Sequence, residues 1–455
     1  MFVKRTTIGL TISVLLIVAV QGIVSASAMV TGSNQRVSFN YNGSQIINKY
    51  STQPLISGDG KKIAYSSEST SLLPDGKGSV VRDIATGNSI RINSSATGIV
   101  TNPIYSDMLD QISYTGRYVL FRSTAVNLID GETLSPNKYR LYLKDIATGQ
   151  VTLVNRNLTT GQVADDGSDS ALTSVGVSSD GRFIAFTSNS INLVDDVSDG
   201  NPHLYMLDRV EQSMSVIDRK TDGQLGQTNS SWVPRGGMSC DGSIIAFQYP
   251  SNLIVGSTNT NHVDVYILDR RGDDPKLTNI SSNAASAALG PTVSCNGDYI
   301  GFSSKGVDYD PDVSVTPAHY KVWPYVYDRV NDRFHFVAVN SNGIPATGSI
   351  CGDGSVFSLG YPCLWVSDKG QAVFSAEETD MLGSSTDPMI YVRDLDSSGA
   401  EVVSRDSAGN VANSTSSVPR ISADGRMISY QSSASNLVTG DTNGQTDIFI
   451  STINY

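Results

Sequence analysis

Ile421-Ser-Ala-Asp-Gly-Arg-Met-Ile-Ser-Tyr430 decides the fold, because the chain writes this stretch seven times. It reads as a strand, a tight turn on Asp424-Gly425, and a second strand ending on an aromatic residue. Glycine accepts a positive φ that side chains resist, and the short Asp can bond its own backbone, so the pair reverses the chain. The other copies run from Ile56 to Tyr65, Ile112 to Phe121, Val177 to Phe186, Met238 to Phe247, Val293 to Phe302 and Val366 to Phe374. Self-similarity at this period is the signature of a solenoid or a propeller.

Outward from the turn, every copy continues alike. A variable loop leads to a third strand, rich in β-branched and aromatic residues and ending near Asp; a short turn and a fourth strand follow. In the third copy these are His203 to Arg209 and Ser213 to Asp218. The corresponding third strands are Ser79 to Asp83, Tyr139 to Asp145, Asp264 to Asp269, Trp323 to Asp328, Met389 to Asp394 and Asp447 to Ile450. No helical periodicity of useful length follows the N-terminal segment. The pattern predicts an all-β, seven-bladed β-propeller of four-stranded antiparallel blades.

The last copy runs out after its third strand, while Arg36 to Tyr41 forms an orphan strand near the N-terminus. VSFNYNGSQIINKYSTQPLISGDG from Val37 matches VVSRDSAGNVANSTSSVPRISADG from Val402, so the orphan has the sequence of a fourth strand. It is expected to complete the last blade and leave no unpaired edge. Pro54, Pro234, Pro291, Pro362 and Pro419 each stand just before a first strand. That strand is an inner edge, where a missing N–H removes no ladder bond. The residue after Pro then faces the channel, and in two blades it is Arg235 or Arg420.

Residues 1–28 read as a leader: Lys4 and Arg5, an apolar run from Ile8 to Val20, and Ala26-Ser-Ala28 as a small-residue cleavage site. The expected layout is a signal peptide over 1–28 and one propeller domain over 29–455, secreted or periplasmic, with no membrane span in the mature form. Taking Lys4 and Arg5 from the 32 basic residues leaves 30 against 44 acidic ones, a net charge near −14. Such a surface is a poor partner for nucleic acid and for anionic membranes, and a good one for cations.

At these repeats the chain resembles the TolB-like and related WD-like bacterial β-propeller repeat family, whose copies read S-x-D-G-x-x-[IV]-[AV]-F. The SNLVTGDTNGQTDIFI stretch is similar to a loop of secreted members of that group. The resemblance covers essentially the whole of the chain after the leader. It implies the fold and leaves activity open, because the group includes binding scaffolds, enzyme-associated domains and a few lyases.

Candidate chemistry gathers in the loops between second and third strands. Asp441, Asn443 and Asp447 place oxygen ligands at alternating positions around a glycine, the spacing that a structural calcium ion can use. Asp195, Asp196 and Asp199 stand in the corresponding loop of repeat three, and Asp308, Asp310 and Asp312 alternate in repeat five. The alternative reading is that these Asp and Asn residues only make turns. His203, His262 and His319 fall at or before consecutive third strands. This placement is similar to that in oligogalacturonate lyase, whose metal is held by several His, although here the offsets differ from blade to blade. Trp232, Arg235, Trp365 and Arg420 are the candidates for a ligand-binding channel mouth, against a core-packing role for both tryptophans. There is no G-x-S-x-G, no HExxH and no P-loop. Cys351 and Cys363 flank a turn-rich hairpin and are the expected disulfide; Cys240 and Cys295 occupy equivalent positions of neighbouring repeats, and their pairing is left open. The functional expectation is an exported binding or scaffold protein for a protein or glycan partner, stabilised by calcium. The alternative is a carbohydrate-active enzyme, a polysaccharide lyase or glycoside hydrolase, with its site at the channel mouth.

Overall fold

The computed structural model of the chain describes residues 30–99, 107–165, 172–227, 236–250, 253–256, 263–282, 287–304, 309–310, 322–346, 350, 362–376, 381 and 387–454. Within these residues the strands form seven four-stranded antiparallel sheets, the blades of a β-propeller. Blade one runs Ser51–Ile56, Lys62–Ser67, Gly78–Asp83 and Ser89–Arg91 from hub to rim.

The repeated turn explains why each copy folds alike. In the last copy the Ser422 hydroxyl donates to the Asp424 carboxylate at 2.6 Å and accepts the Met427 N–H at 3.0 Å. Asp424 also accepts the Arg426 N–H at 3.0 Å, and Gly425 takes a φ of 76°. Ser57 with Asp59, Ser178 with Asp180 and Ser239 with Asp241 repeat the arrangement. The serine of the motif is therefore as structural as the Asp-Gly pair.

A blade is covered by a neighbour on each face, so its middle strands are apolar on both sides; Ile244–Tyr249 is buried along its whole length. Aromatic residues of second and third strands stack in pairs across the blades. Phe121 meets Tyr142 with ring centroids 5.6 Å apart, Phe374 meets Tyr391 at 5.5 Å, and Tyr430 meets Phe449 at 5.8 Å. Such pairs add about 0.5–1.5 kcal/mol each beyond the burial of their area. Blade one departs from this, pairing Tyr65 with Val80.

Blade seven is built from both ends of the chain. Its first three strands are Ser416–Ile421, Met427–Ser432 and Asp447–Asn454, and its fourth is Val30–Arg36. The expected closure is present, with a corrected register. The closing strand is Val30–Arg36, not Arg36 to Tyr41, because the third strand continues past Ile450 and pairs Asn34 with Ser451 and Arg36 with Phe449. After Val37 donates to Ile448 O at 2.8 Å, the chain turns away. Phe39 then bridges Gln45 in a small hairpin, as Arg156 bridges Val163 and Arg405 bridges Val411 in other blades. That hairpin carries the alternating pattern that reads as a strand.

The hub answers a pairing that the sequence left open. Cys240 and Cys295 form a disulfide between blades four and five, with Cα atoms 4.6 Å apart. First strands converge on the axis, so equivalent positions of neighbouring blades come within bridging distance. Cys363 is also disulfide-bonded, while its expected partner Cys351 lies outside the described residues, as does the leader over 1–28. No helix among the described residues is long and apolar enough to cross a membrane.

Candidate functional site

Antiparallel alternation puts the Ser-x-Asp-Gly turns on one face of the disc. The loops from second to third strands, and those from one blade to the next, emerge on the other. At the turn face the channel is drawn closed by hydrogen bonds that pass from blade to blade. Asp59 N donates to Tyr114 O, Ser179 N to Cys240 O, Cys240 N to Cys295 O, Asp368 N to Ala423 O and Ala423 N to Gly58 O. Asn296 N reaches the Asp368 carboxylate at 2.7 Å.

Above this ring each blade contributes an Ile, Val or Met to an aliphatic collar, Ile56, Met238 and Ile421 among them. Gln111 and Arg420 are its polar members. The Arg420 guanidinium carbon lies 3.9 Å from the centroid of Trp365. The two occupy the same repeat position in adjacent blades, two residues before the motif serine. Stacking on the ring holds the charge in the wall, and Arg420 is only 8% exposed. Of the expected channel-mouth set, Trp365 and Arg420 are thus brought together; Trp232 and Arg235 lie outside the described residues. Among the described residues no carboxylate and no histidine lines this channel.

The titratable groups of the loop face sit in separate knots. In blade seven, Asp447 is fully buried; it accepts the Ser38 hydroxyl at 2.5 Å and the Asn443 amide at 2.7 Å. Asn443 also donates to Ile46 O at 2.8 Å, and Gln45 donates to Asp441 at 2.9 Å. The Arg36 guanidinium stands 3.3 Å from Asp441 and 3.9 Å from Asp447. Burial pushes both carboxyls above their ordinary value, and Arg36 partly offsets it. The three expected calcium ligands are therefore adjacent. They meet an arginine and amide donors, with Asn443 turning its nitrogen rather than its oxygen inward, and this donor set does not fit a metal ion.

Blade three has a counterpart. His203, fully buried, contacts Asp218 through Nδ1 at 2.9 Å and Asp199 through Nε2 at 3.2 Å. Asp218 accepts the Leu204 N–H at 2.9 Å and the Tyr249 hydroxyl at 2.8 Å. Burial opposes the charged ring, but the two aspartates outweigh it and hold His203 above its ordinary pKa. The loop acids do not assemble here: Asp196 pairs with Arg219, Asp195 is exposed, and Asp199 serves His203. In blade five Asp310 accepts the Phe336 N–H at 2.8 Å, while Asp308 and Asp312 lie outside the described residues. His262 and His319 lie outside them as well. No group of three or more His, Cys, Asp or Glu arranged for a metal occurs among the described residues.

Sequence reasoning missed the residue that anchors each third strand. A side chain just past the fourth strand accepts the N–H of the third strand's second residue: Asn155 for Leu141, Asp218 for Leu204, Ser281 for Val265, Ser404 for Ile390 and Ser38 for Ile448. Blade five places Pro324 at the donor position and Ala338 opposite. Proline has no N–H to offer, so no acceptor is needed. This exchange within the repeats was the available signal.

No protein-family model matches the chain, and no characterised sequence does either. Among solved structures, the chain is similar to oligogalacturonate lyase from Vibrio parahaemolyticus, at 12% identity and a TM-score of 0.51, over 93% of this chain and 98% of the lyase. A prolyl endopeptidase is similar at 10% identity and a TM-score of 0.51, over 92% of this chain and 51% of the endopeptidase. TolB from Acinetobacter baumannii overlays less well, at 17% identity and a TM-score of 0.35, over 67% of this chain and 62% of TolB. At such identities the likeness establishes the β-propeller and nothing about activity.

Proposed function

We propose that the chain is an exported binding propeller, a rigid scaffold that presents its loop-bearing face to a protein or glycan partner. The observation that carries this reading is the channel. An enzyme of the propeller class needs acids, bases or metal ligands converging on one cavity. Here the described channel wall is an aliphatic collar joined by Gln111, Tyr114 and one stacked Arg–Trp pair. The His and Asp residues of the loop face are tied into separate knots, one in blade seven around Asp447 and one in blade three around His203 that also takes the Tyr249 hydroxyl of blade four. A polysaccharide lyase or glycoside hydrolase with its site at the channel mouth is the alternative reading.

The purified protein, incubated with uronate-containing and neutral polysaccharides, is expected to release no unsaturated or reducing ends above a boiled control. Turnover that disappears in an Arg420→Gln variant of unchanged melting temperature would restore the enzyme reading.

A further inference from the structure

The seven blades repeat so closely that a departure from the pattern stands out, and two departures meet at one cavity. The first residue of the third strand carries a side chain in six blades, Arg140, His203, Asp264, Trp323, Met389 and Asp447, and each is buried. In blade one it is Gly78. A Cβ there would lie 2.5 Å from the Arg91 guanidinium and 2.6 Å from the Asn93 side-chain oxygen, and the backbone takes a φ of +152°. The place that a third-strand side chain fills in the other blades is taken here by Arg91 and Asn93, with Arg91 held by Asp75 and by Lys77 O.

The second departure is Asp107, at the start of blade two's first strand. By register, the same place holds Ser51, Leu172, Ala288 and Ser416 in other blades. Small or apolar residues give way to an acid. The Asp107 carboxyl takes hydrogen bonds from Ser123 and Asn93, and burial pushes its pKa up to about 6. Beside the two departures lies a cavity of about 160 Å³ on the loop face between blades one and two, the scale of a single small ring rather than of a drug-sized ligand.

We propose that this cavity, floored by Gly78, Asn93 and Asp107 and rimmed by Tyr50, Glu68 and Lys77, binds a neutral sugar, free or at the end of a glycan. This deepens the binding reading and rests on it. The argument for the ligand class is the balance of the lining. The Lys77 ammonium already pairs with Glu68 at 2.7 Å, which leaves Asp107 to repel an anion. A ligand cation at Asp107 would meet Lys77 at the rim and Arg91 beneath the floor. Carboxylate, amide and hydroxyl groups side by side suit a ligand whose every polar group both donates and accepts, as vicinal hydroxyls do. Tyr50, 49% exposed at the rim, offers a flat apolar face to the C–H side of a sugar ring.

The test titrates methyl glycosides of glucose, galactose, mannose and N-acetylglucosamine into the full chain, by saturation-transfer NMR and calorimetry, with methylamine and inorganic phosphate as controls. At least one glycoside is expected to bind. Asp107→Ser, which installs the residue that blades one and seven carry, should weaken it about tenfold or more, the scale of a lost charge-assisted hydrogen bond. Its melting curve should be unchanged. Should Asp107→Ser fail to fold, Tyr50→Ala at the exposed rim must weaken the same glycoside. Binding that neither substitution alters, no binding by any glycoside, or a preference for methylamine or phosphate that Asp107→Ser abolishes, would each overturn the proposal. None of these outcomes touches the turnover assay, so failure of the sugar site is distinct from failure of the binding reading.

Discussion

Blades three and seven hold the same knot with opposite chemistry. His203 stands where blade seven has Asp447, Asp199 where it has Asn443, and Asp218 where it has Ser38. In each, a buried polar residue opens the third strand, the loop before it supplies one partner, and the segment after the fourth strand supplies the other. Blade seven buries an acid and surrounds it with donors and Arg36; blade three buries a base and surrounds it with acids. The fold fixes that three polar side chains meet there, because a buried polar group must be paired. It does not fix which one carries the charge. The knots therefore pin the third strands under the loop face.

The two blades also differ in how they are joined to the chain. Blade three is one continuous segment, whereas blade seven depends on Val30–Arg36 coming from the other end. The largest expected effect follows from that. A chain beginning at Val37 exposes the Asp447–Asn454 edge and removes Arg36 from its two aspartates. It should lose several kcal/mol and aggregate, which size-exclusion chromatography and a thermal melt report. A truncated chain that stays monomeric and melts with the parent would show that the closing strand is dispensable.

The next effect separates the knots themselves. Asp218→Ala strips His203, Leu204 N and Tyr249 of one shared acceptor and should cost about 3–5 kcal/mol, as when one partner of a buried pair is removed. Ser38→Ala leaves fewer groups without partners and should cost about 1–3 kcal/mol. Denaturant unfolding of both variants measures the gap, and equal costs would mean that charge plays no part in the difference.

A smaller contrast lies in pH. His203 is held above its unfolded value of 6.5, so its contribution is full below that value and is lost as pH rises through the folded pKa. Asp441 and Asp447 are held above 3.8. Their folded forms also favour the proton, and that contribution fades as pH climbs out of the acid range. Asp199, held below 3.8, works the other way and adds stability only once ionised. Stability-versus-pH curves for His203→Gln and Asp447→Asn should therefore diverge from the parent curve in different windows, the first around and above 6.5, the second in the carboxylate range. Divergence in one shared window would break the assignment.

What the sequence made legible divides along the same line. The blades could be read because Ser-x-Asp-Gly is local turn chemistry, complete within ten residues and repeated. The closing strand was readable as an event but not in register, since the pairing of Arg36 with Phe449 joins segments from opposite ends and the hairpin after Val37 imitates a strand. The acidic loop of blade seven was located, and its partners were not, because Arg36, Gln45 and Ser38 arrive from the far end of the chain. Loop composition alone cannot tell a guanidinium-filled knot from a cation site. The Cys240–Cys295 bridge needed the convergence of first strands at the hub, which no spacing in sequence states.

The smallest expected effect tests whether Arg36 takes the cation's place. A calcium ion bound to the folded loop would raise stability by RT ln(1 + [L]/Kd), about 2.7 kcal/mol at a hundredfold excess over Kd. For a chain of this size that shifts the melting temperature by a few degrees. With the guanidinium 3.3 Å from Asp441, the parent should melt alike in chelator and in millimolar calcium. Arg36→Gln removes the positive charge and keeps a side chain able to donate hydrogen bonds. It leaves Asp441 and Asp447 facing each other without compensation, so this variant should be less stable than the parent and should recover part of the loss in calcium. Blade three offers no such vacancy for a cation, since His203 supplies its own, and Asp199→Asn should respond identically with and without the ion. A calcium shift in the parent as large as in Arg36→Gln would return the loop to the metal-binding reading and remove the arginine from it.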